Sequence, residues 1–269
     1  MIKAIVCGVG GRMAGRMVHL IQTAEDMQVV GGIERADHPA IGRDVGEVVG
    51  LGNIGVTVSA DLEGVIEQGD VVIEFTTPAA TVEHLRIAAA HGKAMVIGTT
   101  GLEKEQLAEV QRLAQQIPCF MAPNMSVGVN VMFKLLQDAA RLLGDEYDVE
   151  IIEAHHRYKV DAPSGTAVKM AELLAEALGR NLEEVGVFGR PRGIIGERKA
   201  KEIGIQAIRA GDIVGEHTTI FGGLGERLEI THRAQSRDNF GRGALRAARW
   251  ILQQPPGLYD MQDLLGLKG

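Results

Sequence analysis

Apolar residues come in short, dense runs through the first half of the chain. Ile2–Cys7, Gln28–Ile33, Asp70–Phe75, Ala94–Ile97 and Pro118–Ala122 read as buried strands, with Val56–Ser59 a weaker one. Between them lie stretches of helical spacing: Arg12–Thr23, through Met13, Met17, Leu20 and Ile21, then Ala79–His91 and Lys104–Gln116. Strands alternating with helices predict a parallel sheet joined by right-handed crossovers. The pattern changes after Met125. A long amphipathic helix, Val127–Leu143, is followed by a strand at Val149–Ala154 and a helix at Thr166–Leu178. The strands Ile203–Ile208, Gly215–Phe221 and Glu226–Ala234 then succeed one another across short turns, which predicts a more open, mixed sheet. Asn239–Leu252 is helical again, with Leu245, Ala248, Trp250 and Ile251 as packing positions, and is expected to return to the first half. Gly189–Lys201, rich in Gly, Arg and Lys, reads as a mobile surface loop.

With 269 residues the chain can bury one large or two modest cores. Apolar residues at 45% and charged residues at 23% suit a soluble globular protein, and a net charge of -7 argues against a nucleic-acid binder. Thirty-five glycines beside only 4% aromatics predict many tight turns and close backbone approaches. Cys7 and Cys119 sit in apolar strands and read as buried, inert thiols. No apolar run approaches membrane-spanning length and the N-terminus enters a strand directly, so no membrane partner and a cytoplasmic location are expected.

The densest chemistry lies in Glu153–Ala167, E-A-H-H-R-Y-K-V-D-A-P-S-G-T-A. His155, His156 and Lys159 can each carry positive charge or donate a proton, and such groups repel unless something gathers them. The turn Asp161-Ala162-Pro163-Ser164-Gly165-Thr166 then opens a helical run, and a helix N-terminus holds anions. Together they read as a site for a small molecule bearing carboxylates, with proton donors beside it. A zinc site fits less well, since adjacent histidines on a strand point to opposite faces, and no metal is expected.

A second motif follows the first strand. Gly8-Val9-Gly10-Gly11-Arg12-Met13-Ala14-Gly15 is a glycine-rich strand-to-helix turn of the kind that receives a pyrophosphate, although Met13 stands where the strict pattern has its third glycine. Glu34 ends the second strand at the distance where an acid binds an adenosine ribose, and Arg35 is placed to meet a 2′-phosphate. Gly98-Thr99-Thr100-Gly101 and Ala122-Pro123-Asn124-Met125-Ser126 also follow strands and can surround a nicotinamide ring. The expected fold is therefore α/β: a Rossmann-type dinucleotide-binding domain (1–126 and 236–269) plus an α+β domain with an open mixed sheet for substrate and oligomer contacts (127–235).

These residues resemble one family closely, the 4-hydroxy-tetrahydrodipicolinate (dihydrodipicolinate) reductases. The resemblance rests on the motif at 153–167 and extends to V-C-G-V-G-G-R-M at 6–13, E-F-T-T-P at 74–78, G-T-T-G at 98–101 and A-P-N-M-S-V-G-V-N at 122–130. It implies reduction of a cyclic dicarboxylate by hydride from NADH or NADPH, in the diaminopimelate route to lysine, by a homotetramer whose second domain supplies much of the subunit contact. It also implies roles. Gly8, Val9, Gly10, Gly11, Arg12 and Met13 would cradle the pyrophosphate, Glu34 the ribose and Arg35 a 2′-phosphate. Gly98, Thr99, Thr100, Ala122, Pro123, Asn124 and Met125 would surround the nicotinamide. His155 and Lys159 would be the catalytic acids, His156 a substrate contact, and Gly165 with Thr166 the carboxylate grip, with Lys159 also able to anchor a carboxylate. Ala14 stands where the family more often has glycine, and Thr77 where some members carry an arginine that helps hold a 2′-phosphate. NADH is therefore expected to serve at least as well as NADPH. A nucleotide-sensing scaffold would need no proton donors, and an amino-acid or sugar dehydrogenase would need no paired histidines before such a turn.

Overall fold

The computed structural model of the protein describes residues 1–268. Its elements run β1 (Ile2–Cys7), α1 (Arg12–Gln22), β2 (Met27–Ile33), α2 (Val45–Val49), β3 (Val58–Ser59), β4 (Val71–Glu74), α3 (Pro78–Ala90), β5 (Ala94–Ile97), α4 (Lys104–Leu113), β6 (Pro118–Met121) and α5 (Val127–Leu143). They continue with β7 (Asp148–His155), α6 (Gly165–Ala177), α7 (Leu182–Val185), β8 (Gly186–Phe188), β9 (Ile203–Arg209), β10 (Gly215–Gly222), β11 (Arg227–Ala234), α8 (Asp238–Ile251), β12 (Gly257–Tyr259) and α9 (Met261–Leu265).

The chain divides into two compact units: Met1–Val127 with everything from Asp238 onward, and Gly128–Arg237. The first is built on a seven-stranded sheet in the order β12-β6-β5-β4-β1-β2-β3, parallel throughout. Its central strands read as continuous apolar runs because both faces are covered, and Ile5, Val6, Val72, Ile73 and Val96 are fully buried. One face packs α1 and α8, with Met17, Ile21, Ala244 and Ala248 in a single core; the other packs α3 and α4 through Leu85, Ala88 and Val110. The chain passes from β1 outward to β2 and β3, then returns to β4 on the opposite flank of β1. That reversal is where ligands bind in open parallel sheets.

The second unit carries a five-stranded mixed sheet, β11-β10-β7-β9-β8. β10 runs antiparallel to both its neighbours, while β7, β9 and β8 are mutually parallel. α5 and α6 cover one face, with Leu136, Ile151, Met170, Leu174 and Phe221 in the core.

Several sequence expectations shift. The weak strand at 56–59 contracts to Val58–Ser59, because Asp44 holds the loop before it, accepting hydrogen bonds from the N–H groups of Gly46, Glu47, Ile54, Gly55 and Val56. The loop at 189–201 lacks regular structure, yet its arginines fasten it. Arg190 grips Glu150 with two hydrogen bonds of 2.9 and 2.8 Å, and Arg198 reaches Glu150 at 3.1 Å and Asp148 at 2.6 Å. The short elements α2, α7, β8, β12 and α9 have no sequence signature strong enough to predict them. Among the described residues no helix is long and apolar enough to cross a membrane.

Candidate active site

In the first unit the glycine turn is shaped by contact. Gly8 has φ of 84°, a left-handed value that favours glycine, and a Cβ there would stand 2.9 Å from the Phe75 carbonyl oxygen. The N–H groups of Gly8 and Val9 donate to the Ile33 carbonyl at 2.7 and 3.3 Å, and Gly11 N–H returns to the Gly8 carbonyl at 2.8 Å. α1 then starts at Arg12 with Gly11 as its cap and no side chain folded over the helix tip. An anion can approach the first amides of α1, from Arg12 on, directly. A groove of about 280 Å³ runs along the turn, lined by Val9, Gly10, Gly11, Arg12 and Val49 among others. Glu34 lies at its rim. Its carboxylate accepts from Gly10 N–H at 2.9 Å and from Arg35 N–H at 3.1 Å. Arg35 itself turns to Asp37 at 3.0 Å, in an exposed pair. Arg12 is exposed and Met13 half-buried at the start of α1.

The two other loops follow β5 and β6, so they share the carboxyl edge of the same parallel sheet. Gly98 donates to the Glu74 carbonyl at 2.9 Å, and a Cβ there would lie 2.0 Å from the Phe75 ring. The Thr99 hydroxyl accepts hydrogen bonds from the Thr81 hydroxyl at 2.8 Å and from Thr76 N–H at 3.2 Å. Thr100 is exposed. Ala122 and Met125 are buried and Pro123 is exposed, and Asn124 accepts from Ser126 N–H at 2.9 Å. The backbone cradle, the open helix tip and the acid at its rim fit a dinucleotide.

Beneath these loops the possible ligand atoms of Cys7, Glu74 and His84 lie within 4.8 Å of one another. Glu74 already accepts from His84 Nδ1 at 2.6 Å, from Thr76 N–H at 2.9 Å and from the Thr76 hydroxyl. Burial and the neighbouring Glu74 push the Cys7 thiol well above its ordinary value. A neutral thiol beside a fully hydrogen-bonded carboxylate makes a closed strand end, and no metal is assigned to it.

The second unit holds the proton donors. β7 delivers alternate side chains to its covered face, so Val149, Ile151 and Glu153 point inward together. Glu153 is fully buried, and it is satisfied on every side: by Arg209 through two bonds of 2.8 Å, by His155 Nδ1 at 2.6 Å and by Ser164 N–H at 3.0 Å. Burial acts to raise its pKa, but Arg209, His155 and the Ser164 amide outweigh that and hold it below the usual range. The same Arg209 donates to the Asp161 carbonyl at 2.6 Å. Arg209 and Glu153 thus hold both ends of the turn Asp161–Ser164, which contains a cis Ala162–Pro163 bond.

His155 lies at the end of β7 with only 11% of its side chain exposed. Burial lowers its pKa first, and Lys159 and Arg209 add to this, against the opposing pull of Glu153. Behind it His217 bonds the Ser164 hydroxyl at 2.9 Å and is pushed down to about 4, chiefly by burial. Gly215 leaves room for the His155 ring, since a Cβ there would stand 3.0 Å from Nε2. Lys159 is held by Asp161 at 2.8 and 2.9 Å. Ser164 caps α6 by accepting from Ala167 N–H at 3.2 Å, and open space lies where a Gly165 Cβ would be. Thr166 is the next residue of the tip. His156, just past the strand, keeps its Nδ1 buried without a hydrogen-bond partner. His155, Lys159 and the tip of α6 are therefore assembled by one short segment.

Glu153, Arg209 and His217 carry no role in the sequence reading. A carboxylate at an inward strand position, two residues from a histidine, is the signal that marks Glu153. Arg209 is brought in by register, paired with His155 across β7 and β9, and no local pattern announces it.

A doubly wound unit with an open pyrophosphate turn, joined to a unit bearing proton donors beside a helix tip, defines a two-unit oxidoreductase that uses a nicotinamide dinucleotide. The family models for dihydrodipicolinate reductase match both parts, the N-terminal model over residues 2–125 and the C-terminal over 128–265, and the chain belongs to that family. It is 58% identical over 268 residues to the 4-hydroxy-tetrahydrodipicolinate reductases of Syntrophus aciditrophicus and of Syntrophobacter fumaroxidans, covering all of each chain. Among solved structures it resembles a dipicolinate-bound dihydrodipicolinate reductase from Paenisporosarcina sp. TG-14, with a TM-score of 0.78, 29% identity and 98% of each chain covered. An amine dehydrogenase from Mycobacterium smegmatis, at 19% identity and a TM-score of 0.59, shares the fold, covering 96% of this chain and 94% of its own.

Proposed function

We propose that the protein reduces dihydrodipicolinate, formed from 4-hydroxy-tetrahydrodipicolinate, to tetrahydrodipicolinate, in the diaminopimelate route to lysine. The observation that carries this reading is that one short segment assembles His155, Lys159 and the tip of α6, with His155 and Ser164 both bonded to the buried Glu153. Met1–Val127 with the C-terminal segment is the dinucleotide-binding unit, and Gly128–Arg237 the substrate unit. A reduced nicotinamide bound to the first unit would supply hydride to the conjugated ring, leaving an electron pair at the ring nitrogen side to be met by a proton.

The rest falls to the chain's own side chains. The turn Gly8 to Met13 would cradle the pyrophosphate against the open tip of α1, and Glu34 would receive the ribose hydroxyls. The backbones of Gly98–Thr100 and Ala122–Met125 shape the nicotinamide pocket. The tip of α6, at Gly165 and Thr166, grips one carboxylate, and Lys159, leaving Asp161, meets the developing negative charge. His156 contacts the substrate. His155 delivers the proton. Burial and the nearby cations favour its neutral form, and a dianion bound beside it would favour the charged form.

NADH serves at least as well as NADPH in this reading. Glu34 presents negative charge where a 2′-phosphate would sit, Arg35 is occupied by Asp37, and Thr77 caps α3 instead of offering a cation. The test supplies the product of a dihydrodipicolinate synthase reaction and follows cofactor oxidation. A kcat/KM for NADH equal to or above that for NADPH is expected; a tenfold preference for NADPH would contradict the cofactor assignment, and no oxidation of either would end the proposed activity.

A homotetramer built through the uncovered face of the five-stranded sheet belongs to the same proposal. Ile208, 46% exposed, lies on that face, paired on β9 with the outward Ala154 of β7. Light scattering should give four times the 28.8 kDa chain mass; a monomer would remove this element.

A further inference from the structure

We propose that Glu153 is the positioning residue of the proton-donor site: its carboxylate fixes His155 with Nδ1–H turned inward and Nε2 as the proton-transferring atom, and through Ser164 ties that imidazole to the anion-binding tip of α6. This rests on the proposed function above and assigns the site a part that its three donors do not supply. The geometry is specific. Arg209 and the Ser164 amide hold the carboxylate in one orientation, and its remaining hydrogen bond is the 2.6 Å contact to His155 Nδ1. An ionised carboxylate only accepts, so Nδ1 must be the donor. Nε2 then changes protonation state while Nδ1–H stays anchored, the arrangement that keeps a histidine aimed through a proton transfer.

The second half of the role follows from Ser164. Its N–H donates to Glu153 Oε1 while its hydroxyl caps α6, so one carboxyl group sets the distance between the acid and the helix tip. Proton donor and carboxylate grip are held as a unit by a residue that need touch neither substrate nor cofactor. Burial of charge at this cost is explained if orientation, more than stability, is what it supplies.

The charged and titratable groups facing His155 are Glu153 on its own strand, Lys159 on the following turn, Arg209 on β9 and His217 on β10, and Asp161 is paired with Lys159. Only Glu153 is both negative and in contact with the ring. Its removal must make the imidazolium harder to form. Glu153→Gln keeps the shape and is expected to lower kcat at least ~10-fold, a size typical of losing the group that orients a functional histidine. KM for the substrate should change less than kcat. The limb of kcat/KM that falls as the acid loses its proton should move to lower pH, and Glu153→Asp should recover part of both effects. A purely structural carboxylate would change the melting temperature without moving that limb.

The wild-type protein gives a second readout that needs no variant at 153. Ring 15N shifts of His155, assigned by their loss in His155→Ala, should show the Nδ1–H tautomer in the neutral form. An Nε2–H tautomer, or a Glu153→Gln enzyme with unchanged kcat and an unmoved limb while His155→Ala is inactive, overturns the inference and leaves the proposed function standing. Full turnover in His155→Ala as well removes the reading of the site itself.

Discussion

Replacing His155 by Ala is expected to cut kcat by at least ~100-fold, the usual size of a lost general acid. The loss should fall on kcat more than on KM, because the imidazole adds its contribution when the displaced electron pair needs a proton. Lys159→Ala should lose a comparable factor, with a larger share in KM, since an ammonium can hold a ground-state carboxylate as well as the developing charge. Steady-state rates with varied substrate at saturating cofactor separate the two. Near-normal turnover in both variants would refute the assigned roles. The environment sharpens the first expectation. His155 is nearly covered, and its neighbour His217 is pushed down to about 4, so His217 is uncharged near neutrality and a poor substitute as the acid.

Phe120→Ala is expected to cost about 3–5 kcal/mol of stability, the range for emptying a large aromatic from a closed core. Phe120 is fully buried on β6 and meets Trp250 of α8 edge to face, with ring centroids 6.4 Å apart. The loss therefore combines a cavity with a broken aromatic pair. Trp250 is the chain's single tryptophan, so its fluorescence during denaturant unfolding reports the transition of the parallel-sheet unit. A midpoint within about 1 kcal/mol of wild type would mean that the core closes around the void.

How much of this could be read in advance follows from how local each interaction is. Helix α5 carries its full apolar stripe in the sequence, and its predicted limits, Val127–Leu143, are those observed. The strands of the parallel sheet are legible because burial on both faces leaves an unbroken apolar run. The turn at Gly8 and the segment from His155 to Thr166 are legible for a different reason: their chemistry is contiguous. What escaped depends on partners far along the chain. Asp44 orders twelve following residues with one carboxylate, and nothing in its neighbourhood distinguishes it from a solvated acid. The hydrogen bond from Thr81 to Thr99 likewise depends on α3 packing beside the loop after β5. Glu153 looks like a polar interruption in a strand until Arg209, 56 residues later, gives it a counter-charge.

The path of the backbone through the parallel sheet also has a consequence for biosynthesis. β12 pairs with β6 although well over a hundred residues separate them, and α8, which covers one face of that sheet, is made equally late. While the nascent polypeptide leaves the ribosome, the stretch 128–237 is available to condense as soon as it emerges. The sheet that begins at residue 2 must wait, one edge open and part of one face uncovered, until α8 and β12 have emerged. A chaperone that shields exposed β6 and the bare α1 side during that delay would meet the protein at its most aggregation-prone moment.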